Sequence, residues 1–280
     1  YSSIAIFFLF IPYSAAVFIG LSYLFKVTFN IDYSLALIFM GGFTGLYLVL
    51  GGYNSMTMID VVFGIIMIIG CAVLSYTTVN AAGGLTELTA KLSTHDPRLV
   101  SWLGPAGFWN LFYLTFLTSV APFAMPQLIQ KFYAVRDKKA IRTGMIASTL
   151  FSVIIASVAY FVGSTSRVFL TPENAPNAFS NGKPVFDSLM PDLLNKVIPE
   201  YLFVLMLLLI LSASMSTLAA IILISSSSVV KDFYAGFVNK TASDKTLMNL
   251  MRASALVFII ISVILAYFKP ASIVIILGIS

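Results

Sequence analysis

Residues 211–234, LSASMSTLAAIILISSSSVVKDFY, place small hydroxyl side chains inside a stretch apolar enough to cross a membrane as a helix. Lipid offers a hydroxyl no hydrogen-bond partner, so polar residues at that depth are expected to face protein, water or an ion. Ala213, Ser216 and Thr217 stand at i, i+3 and i+4 and therefore share one helix face. One carbonyl and two hydroxyl oxygens there could form part of the shell of a hard cation such as sodium. The alternative that such hydroxyls bond back to the carbonyl four residues earlier stays open.

The composition indicates a membrane protein with several spans. Of the 280 residues, 59% are hydrophobic and 10% are charged, and the mean hydropathy is +0.98. Seven stretches approach the roughly 20 apolar residues that a span needs, at about 3–25, 33–51, 57–80, 107–130, 142–168, 201–231 and 250–268. We predict an all-α helix bundle of seven spans with a truncated eighth beginning near residue 271, forming one transmembrane domain over 1–280. Both ends lie inside apolar runs, so we expect an internal fragment of a longer protein.

The basic residues predict which side of the membrane each loop occupies. Loops 131–142 and 231–249 are rich in lysine and arginine, and short basic loops lie on the cytoplasmic side. Residues 81–106 and 170–200 then fall on the extracytoplasmic side, and a turn over 51–56 falls inside. The net charge of +5 is therefore interpreted as membrane topology, and no nucleic-acid partner is expected.

The sequence lacks the residue patterns that are typical of an enzyme active site. Its one cysteine, Cys71, lies within a span, and its one histidine, His95, lies in a polar stretch between spans. The sequence shows no metal-ligand cluster, no Ser–His arrangement and no glycine-rich phosphate loop. We therefore predict that the protein is not an enzyme.

Two further features interrupt the apolar pattern. The fourth span contains Pro122 and Pro126, each of which removes a backbone donor and breaks or kinks a helix. Interrupted membrane helices are typical of transporter binding sites, although prolines are also common in ordinary membrane helices. Asp60 stands at the expected start of the third span. A carboxylate there indicates either a function or simple complementation of the helix dipole.

Three segments together resemble the sodium:solute symporter family, which includes sodium/glucose cotransporters and the proline and pantothenate permeases. They are GGYNSMTMIDVVF at 51–63, PQLIQKFYAVRDKKAIRTG at 126–144 and SASMSTLAAIILISSSSVVKDFY at 212–234. The resemblance implies the leucine-transporter-like fold of two inverted five-helix repeats, of which this fragment would lack the first core helices. It also implies that the carbonyl of Ala213 and the hydroxyls of Ser216 and Thr217 hold a sodium ion as coupling ion.

The resemblance also bears on the solute. Met125 and Gln127 stand where sugar-transporting relatives carry Asn and Tyr, which implies a substrate or gate position and argues against a sugar. Asp60 is similar to an aspartate that some members use for a second sodium. Here the accompanying helix positions are Ala219 and Ala220, so one sodium per cycle is expected and Asp60 is a possible coupling residue.

These implications predict a sodium-coupled symporter that imports a small organic solute across the cell membrane by alternating access. An amino acid or an organic anion is favoured as the solute. The alternative is a membrane sensor domain of a histidine kinase built on the same fold.

Overall fold

The computed structural model describes residues 2–120, 123, 125–133, 135, 137–180, 182–269 and 273, with the side chains of 50, 52–57, 130–133 and 177 left out. Nine α-helices occur in these ranges: α1 Ser2–Phe29, α2 Tyr33–Ala81, α3 Leu85–His95, α4 Gly107–Val120, α5 Pro126–Tyr133, α6 Lys138–Phe169, α7 Phe186–Val197, α8 Glu200–Ser227 and α9 Asp244–Phe268. α8 continues as a π-helix over Ser228–Val238. Short 3-10 turns cover Pro97–Val100 and Pro176–Ala178.

One short hairpin departs from the all-helical prediction. Strand β1, Phe179–Ser180, pairs antiparallel with β2, Lys183–Pro184, within the loop that joins α6 to α7. The rest of the regular structure in the described part of the chain is helical, so the predicted helical class is confirmed.

Within the described residues, five helices are long and apolar enough to cross a membrane: Ser2–Phe29, Met58–Ala81, Lys138–Phe169, Glu200–Val238 and Asp244–Phe268. They correspond to the first, third, fifth, sixth and seventh predicted spans. Tyr33–Val49 is a shorter apolar helix at the place of the second. The eighth span lies almost entirely outside the described residues. The count of seven spans and an eighth stays a prediction.

The turn expected over 51–56 is wrong. The backbone is helical from Tyr33 to Ala81, which makes α2 a single helix of 49 residues. Gly51 and Gly52 weaken a helix by about 1 kcal/mol each, but they keep their backbone donors. The stretch holds no proline, so nothing in the sequence removes a hydrogen bond from this helix. Asp60 therefore lies in a helix interior, and the explanation that it complements the dipole of a helix N-terminus fails.

The interruption predicted in the fourth span is found. α4 ends at Val120 and α5 begins at Pro126. Pro126 occupies the first position of α5, where its missing N–H costs nothing. Pro122 lies outside the described residues.

The chain divides into two compact units. The first comprises Tyr1–Ile66, Phe186–Pro191 and Leu207–Ser280, and the second comprises Met67–Val185 and Asp192–Met206. In the first unit α1 packs against α9 and the π-helix, and the rings of Phe7 and Phe258 meet edge to face at 5.2 Å. In the second unit α3 packs against α6, with Leu88 and Leu92 buried. The single domain over 1–280 stays a prediction.

Candidate functional site

The face of α8 that carries the predicted sodium ligands lies in the first compact unit. The hydroxyl of Thr217 donates to the carbonyl oxygen of Ala213 over 2.9 Å. This is the back-bonding geometry of ordinary membrane helices. The same bond holds the two oxygens side by side. The Thr217 hydroxyl keeps a lone pair that can accept a cation, whereas the Ala213 carbonyl also accepts the helical N–H of Thr217, so a cation at that carbonyl would replace the hydroxyl's bond to it.

Ser216 makes a different contact. Its hydroxyl donates to a carboxylate oxygen of Asp60 over 2.7 Å, which joins α8 to α2 across 156 positions of sequence. A hydroxyl–carboxylate bond of this length is charge-assisted and stronger than a neutral one. The structure therefore brings together Ser216 and Asp60, two predicted site residues that no sequence spacing connects.

A second polar contact joins the same two helices. The hydroxyl of Thr44 on α2 lies 3.7 Å from the sulfur of Met215 on α8. The hydroxyl of Tyr47, also on α2, is buried without a hydrogen-bond partner among the described residues. An unpaired buried hydroxyl is costly, and that of Tyr47 could still bond to water or a ligand.

A cavity of about 480 Å³ opens on the neighbouring side of α8, within the first unit. Its walls come from α1, the first turns of α7, α8 and Ile273. The lining residues are Tyr13, Ala16, Val17, Gly20, Leu24, Phe186, Asp187, Met190, Pro191, Ile210, Ala213, Ser214, Thr217 and Ile273. Two of the three predicted sodium ligands, Ala213 and Thr217, thus face the cavity, whereas the hydroxyl of Ser216 points to Asp60.

Asp187 is the functional candidate that sequence reasoning missed. One of its carboxylate oxygens accepts a hydrogen bond from the backbone N–H of Ile273 over 3.3 Å. Burial raises the pKa of this carboxyl group, while the Ile273 N–H and the positive charge of Lys269 act in the opposite direction. The residue lies in a polar loop between predicted spans, and no spacing rule connects it to α8.

Lys269 ends α9 in the left-handed region, at φ 46°. Its ammonium lies 3.3 Å from the ring centroid of Tyr33 and 4.8 Å from that of Tyr23. Burial, and then repulsion from Lys26, lower the pKa of Lys269. The two rings stabilise the charge by cation–π attraction at the end of the bundle where α2 begins and α9 ends.

The two predicted substrate or gate residues lie in the second unit. The carbonyl of Met125 accepts from the N–H groups of Leu128 and Ile129 at 3.1 and 3.3 Å, so Met125 immediately precedes α5 and accepts its first helical hydrogen bonds. Gln127 is 7% exposed, and its side-chain oxygen is buried without a partner in the described part of the chain. Leaving such an oxygen unpaired costs about 1–3 kcal/mol, which favours a ligand or water beside it.

Among the described residues, no group of three His, Cys, Asp or Glu side chains could hold a metal ion. The oxygens available at α8 are carbonyl and hydroxyl oxygens and, beside Ser216, a carboxylate oxygen of Asp60. These are ligands suited to hard cations, not to zinc or other transition metals.

Comparison with known sequences points to one protein family. The sequence model described as the sodium:solute symporter family matches residues 1–279. The sodium/pantothenate symporter of Haemophilus influenzae is 29% identical over 201 residues, which cover 71% of this chain and 40% of that protein. The high-affinity proline transporter PutP of Bacillus subtilis is 25% identical over 269 residues, covering 96% and 55%.

A solved structure shows the same fold. It is the substrate-bound, outward-open state of a Na+-coupled sialic acid symporter described as revealing a novel Na+ site. The TM-score is 0.79 at 17% identity, over 95% of this chain and 57% of that one. The chain thus spans about half the length of the proteins it matches. Because the family match runs from residue 1 to residue 279, the chain belongs to the sodium:solute symporter family.

Proposed function

We propose that the protein is a sodium-coupled symporter that moves a small organic solute across the cell membrane, and that sodium binds at Ala213, Ser216 and Thr217. The observation that carries the proposal is the pair of oxygens on Ala213 and Thr217, held 2.9 Å apart at the wall of a cavity. A carbonyl and a hydroxyl so placed supply two ligands of a hard-cation shell without any charged residue.

The contact between Ser216 and Asp60 suggests how sodium affects the rest of the protein. Ala213 and Thr217 line the cavity, whereas the Ser216 hydroxyl points to Asp60, so a cation held in the cavity by all three would require that hydroxyl to turn and give up the 2.7 Å bond that joins α8 to α2. Sodium can shift the conformational equilibrium only through different affinities for the two states, and this exchange supplies such a difference. Each sodium charge moving through 100 mV contributes about 2.3 kcal/mol, before any concentration gradient.

For the solute, only a chemical class is proposed. The relatives named above are described as carrying pantothenate, proline and sialic acid, so organic anions and amino acids are both candidates. Gln127, with its buried and unpartnered oxygen, is proposed as a solute contact or gate, with Met125 beside it. No described feature favours the sensor alternative.

The proposed topology places loops 131–142 and 231–249 in the cytoplasm and 81–106 and 170–200 outside. Hydrogen bonds within the first unit support placing the start of α2, the end of α9 and the loop before α8 on the same side of the membrane. The hydroxyl of Tyr33 donates to the carbonyl of Ala266 over 2.9 Å, which joins the start of α2 to the end of α9. Asp187, from the loop before α8, bonds to Ile273 just beyond α9.

The test is uptake by the full-length protein in proteoliposomes, with and without an inward sodium gradient, using radiolabelled proline, pantothenate and sialic acid. The double variant Ser216→Ala, Thr217→Ala should raise the sodium concentration for half-maximal uptake by about tenfold or more, the loss of roughly 1.4 kcal/mol of binding.

Ser226→Ala is the matched control, because Ser226 lies on the same helix and also donates to a carbonyl four residues back, that of Ile222. It should leave the sodium dependence within about twofold. Unchanged sodium dependence in the double variant would contradict the assignment of these residues.

A further inference from the structure

We propose that the 480 Å³ cavity of the first unit selects solutes that carry a protonated amine, and that Asp187 sets this selectivity. The inference deepens the proposed symport function and rests on it, because the same cavity reaches Ala213 and Thr217. It narrows the solute class to amino acids and related amines and disfavours carboxylates that have no amine.

The cavity has the shape of a slot along two helices. On α1 its lining residues run from Tyr13 to Leu24 at helical spacings, which is a face about 16 Å long. On α8 the lining runs from Ile210 to Thr217, about 10 Å. The volume lies within the roughly 300–1,000 Å³ typical of small-molecule sites.

Asp187 lies at one end of this slot. Its carboxylate bonds to Ile273, whose side chain lies 3.5 Å from the position that a Cβ on Gly20 would take. Gly20 and Leu24 belong to the C-terminal part of α1, so Asp187 is at that end and Tyr13 is toward the other. A solute in the slot therefore meets a carboxylate at one end only.

The charge of the slot is one-sided. Among the described lining residues Asp187 carries the charge, and the others are apolar or bear hydroxyl groups. A carboxylate facing a half-enclosed site attracts an ammonium group and repels a second carboxylate, and this repulsion discriminates between solutes.

Lys269 acts on Asp187 through its positive charge, but it does not form an ion pair with that carboxylate. The ion pairs found within the described part of the chain do not include one to Asp187. The ammonium of Lys269 lies instead over the ring of Tyr33, at 3.3 Å from its centroid. Lys269 is also absent from the described lining of the cavity.

Asp187 also has a structural role that a test must separate from selectivity. Its Oδ1 accepts the Ile273 N–H, and it stands in the first turn of α7, where an acidic residue favours the helix dipole. Asparagine keeps an oxygen acceptor of the same shape and removes the charge. Asp187→Asn therefore isolates the electrostatic contribution.

The remaining polar groups of the slot suit the rest of an amino acid. Tyr13 and Ser214 line the cavity and bring a hydroxyl group each to its wall. They can donate to a solute carboxylate, while Val17, Ile210 and Met190 contact a carbon skeleton.

The experiment measures competition in proteoliposomes containing the full-length protein under a sodium gradient. Radiolabelled proline is the probe, and the competitors are unlabelled proline, cyclopentanecarboxylate, which lacks the amine, and pantothenate. Wild-type protein should prefer proline to cyclopentanecarboxylate by about tenfold or more, and Asp187→Asn should reduce that preference to about twofold or less.

Asp192→Asn is the matched control, because Asp192 is a buried carboxylate on the same helix that does not line the described cavity. It should keep the wild-type preference. Equal competition by cyclopentanecarboxylate and proline in the wild type would overturn the inference whether or not the Asp187 variant folds. An unchanged preference in a folded Asp187→Asn protein would also overturn it.

Binding without transport separates this inference from the symport proposal. Stabilisation of the detergent-solubilised full-length protein by each solute, followed by thermal melting, reports selectivity directly. Amine-selective stabilisation that depends on Asp187, without sodium-driven uptake of any solute, would uphold the inference and overturn symport. Sodium-driven uptake that favours pantothenate over proline would uphold symport and overturn the inference.

Discussion

Two groups of hydroxyls on α8 and its π-helical continuation look alike in sequence and differ in surroundings. The cavity cluster, Ser214, Ser216 and Thr217, lies beside the cavity or on Asp60. The core cluster, Ser225, Ser226 and Ser228, is at most 3% exposed and lies within the core of the first unit. The hydroxyl of Ser225 has no partner among the described residues, and that of Ser226 bonds back to Ile222. Access to a cavity, and not the number of hydroxyls, therefore distinguishes a candidate ion site from a packed helix.

The largest effect should come from placing a charge in each cluster. Ser225→Asp buries a carboxylate without a partner and should lower the free energy of unfolding by about 3–5 kcal/mol or prevent folding. Ser214→Asp places the same charge at the cavity and should cost less than about 1 kcal/mol. Thermal melting of the full-length protein in detergent measures both, and equal destabilisation would show that the two clusters do not differ in access.

Chemical labelling should give the next largest difference. In a Cys71→Ala background, which removes the one cysteine of these 280 residues, a thiol at Ser214→Cys should react with a methanethiosulfonate reagent on the order of a hundredfold faster than one at Ser225→Cys, because buried thiols are inert. If residue 217 faces the bound ion, sodium should slow the labelling of a thiol at Thr217→Cys. Comparable rates at Ser214→Cys and Ser225→Cys would mean that the cavity is closed to solvent.

The smallest expected effect is a pH dependence of stability that comes from Asp187 at the cavity and not from the core cluster. Because the folded-state pKa of Asp187 is raised, its contribution to stability is fully present below its unfolded pKa of about 3.8 and is lost as pH rises through the folded value. Asp187→Asn should therefore gain stability relative to wild type as pH rises from 4 to 7. We expect less than about 1 kcal/mol, because water screens a half-buried carboxylate. Ser225→Ala should show no such pH trend, and a constant difference between Asp187→Asn and wild type across this pH range would contradict the prediction.

The sequence predicted local features better than tertiary ones. Proline chemistry correctly located the break before α5, since a missing donor acts on its own helix. Glycine did not break α2, because the pair at 51–52 only weakens a helix that the rest of the stretch sustains.

The site shows the same division. Helical spacing placed Ala213 and Thr217 together, as their 2.9 Å bond shows. Spacing could not reveal that Ser216 turns to Asp60, because that depends on how α2 packs on α8. It could not find Asp187 either, since a loop residue enters the cavity only through the fold. The roles predicted for these residues, for Met125 and for Gln127 stay predictions.

The π-helical end of α8 has a consequence for how its sequence can change. Over Ser228–Val238 the hydrogen bonds span five residues, as in the bond from the N–H of Asn239 to the carbonyl of Tyr234. Side chains therefore return to the same face every four or five positions here, whereas those of the cavity cluster do so every three or four. A one-residue deletion in this segment can be absorbed by a return to α-helical pitch. This segment can thus lose a residue while the cavity face of α8 keeps its orientation.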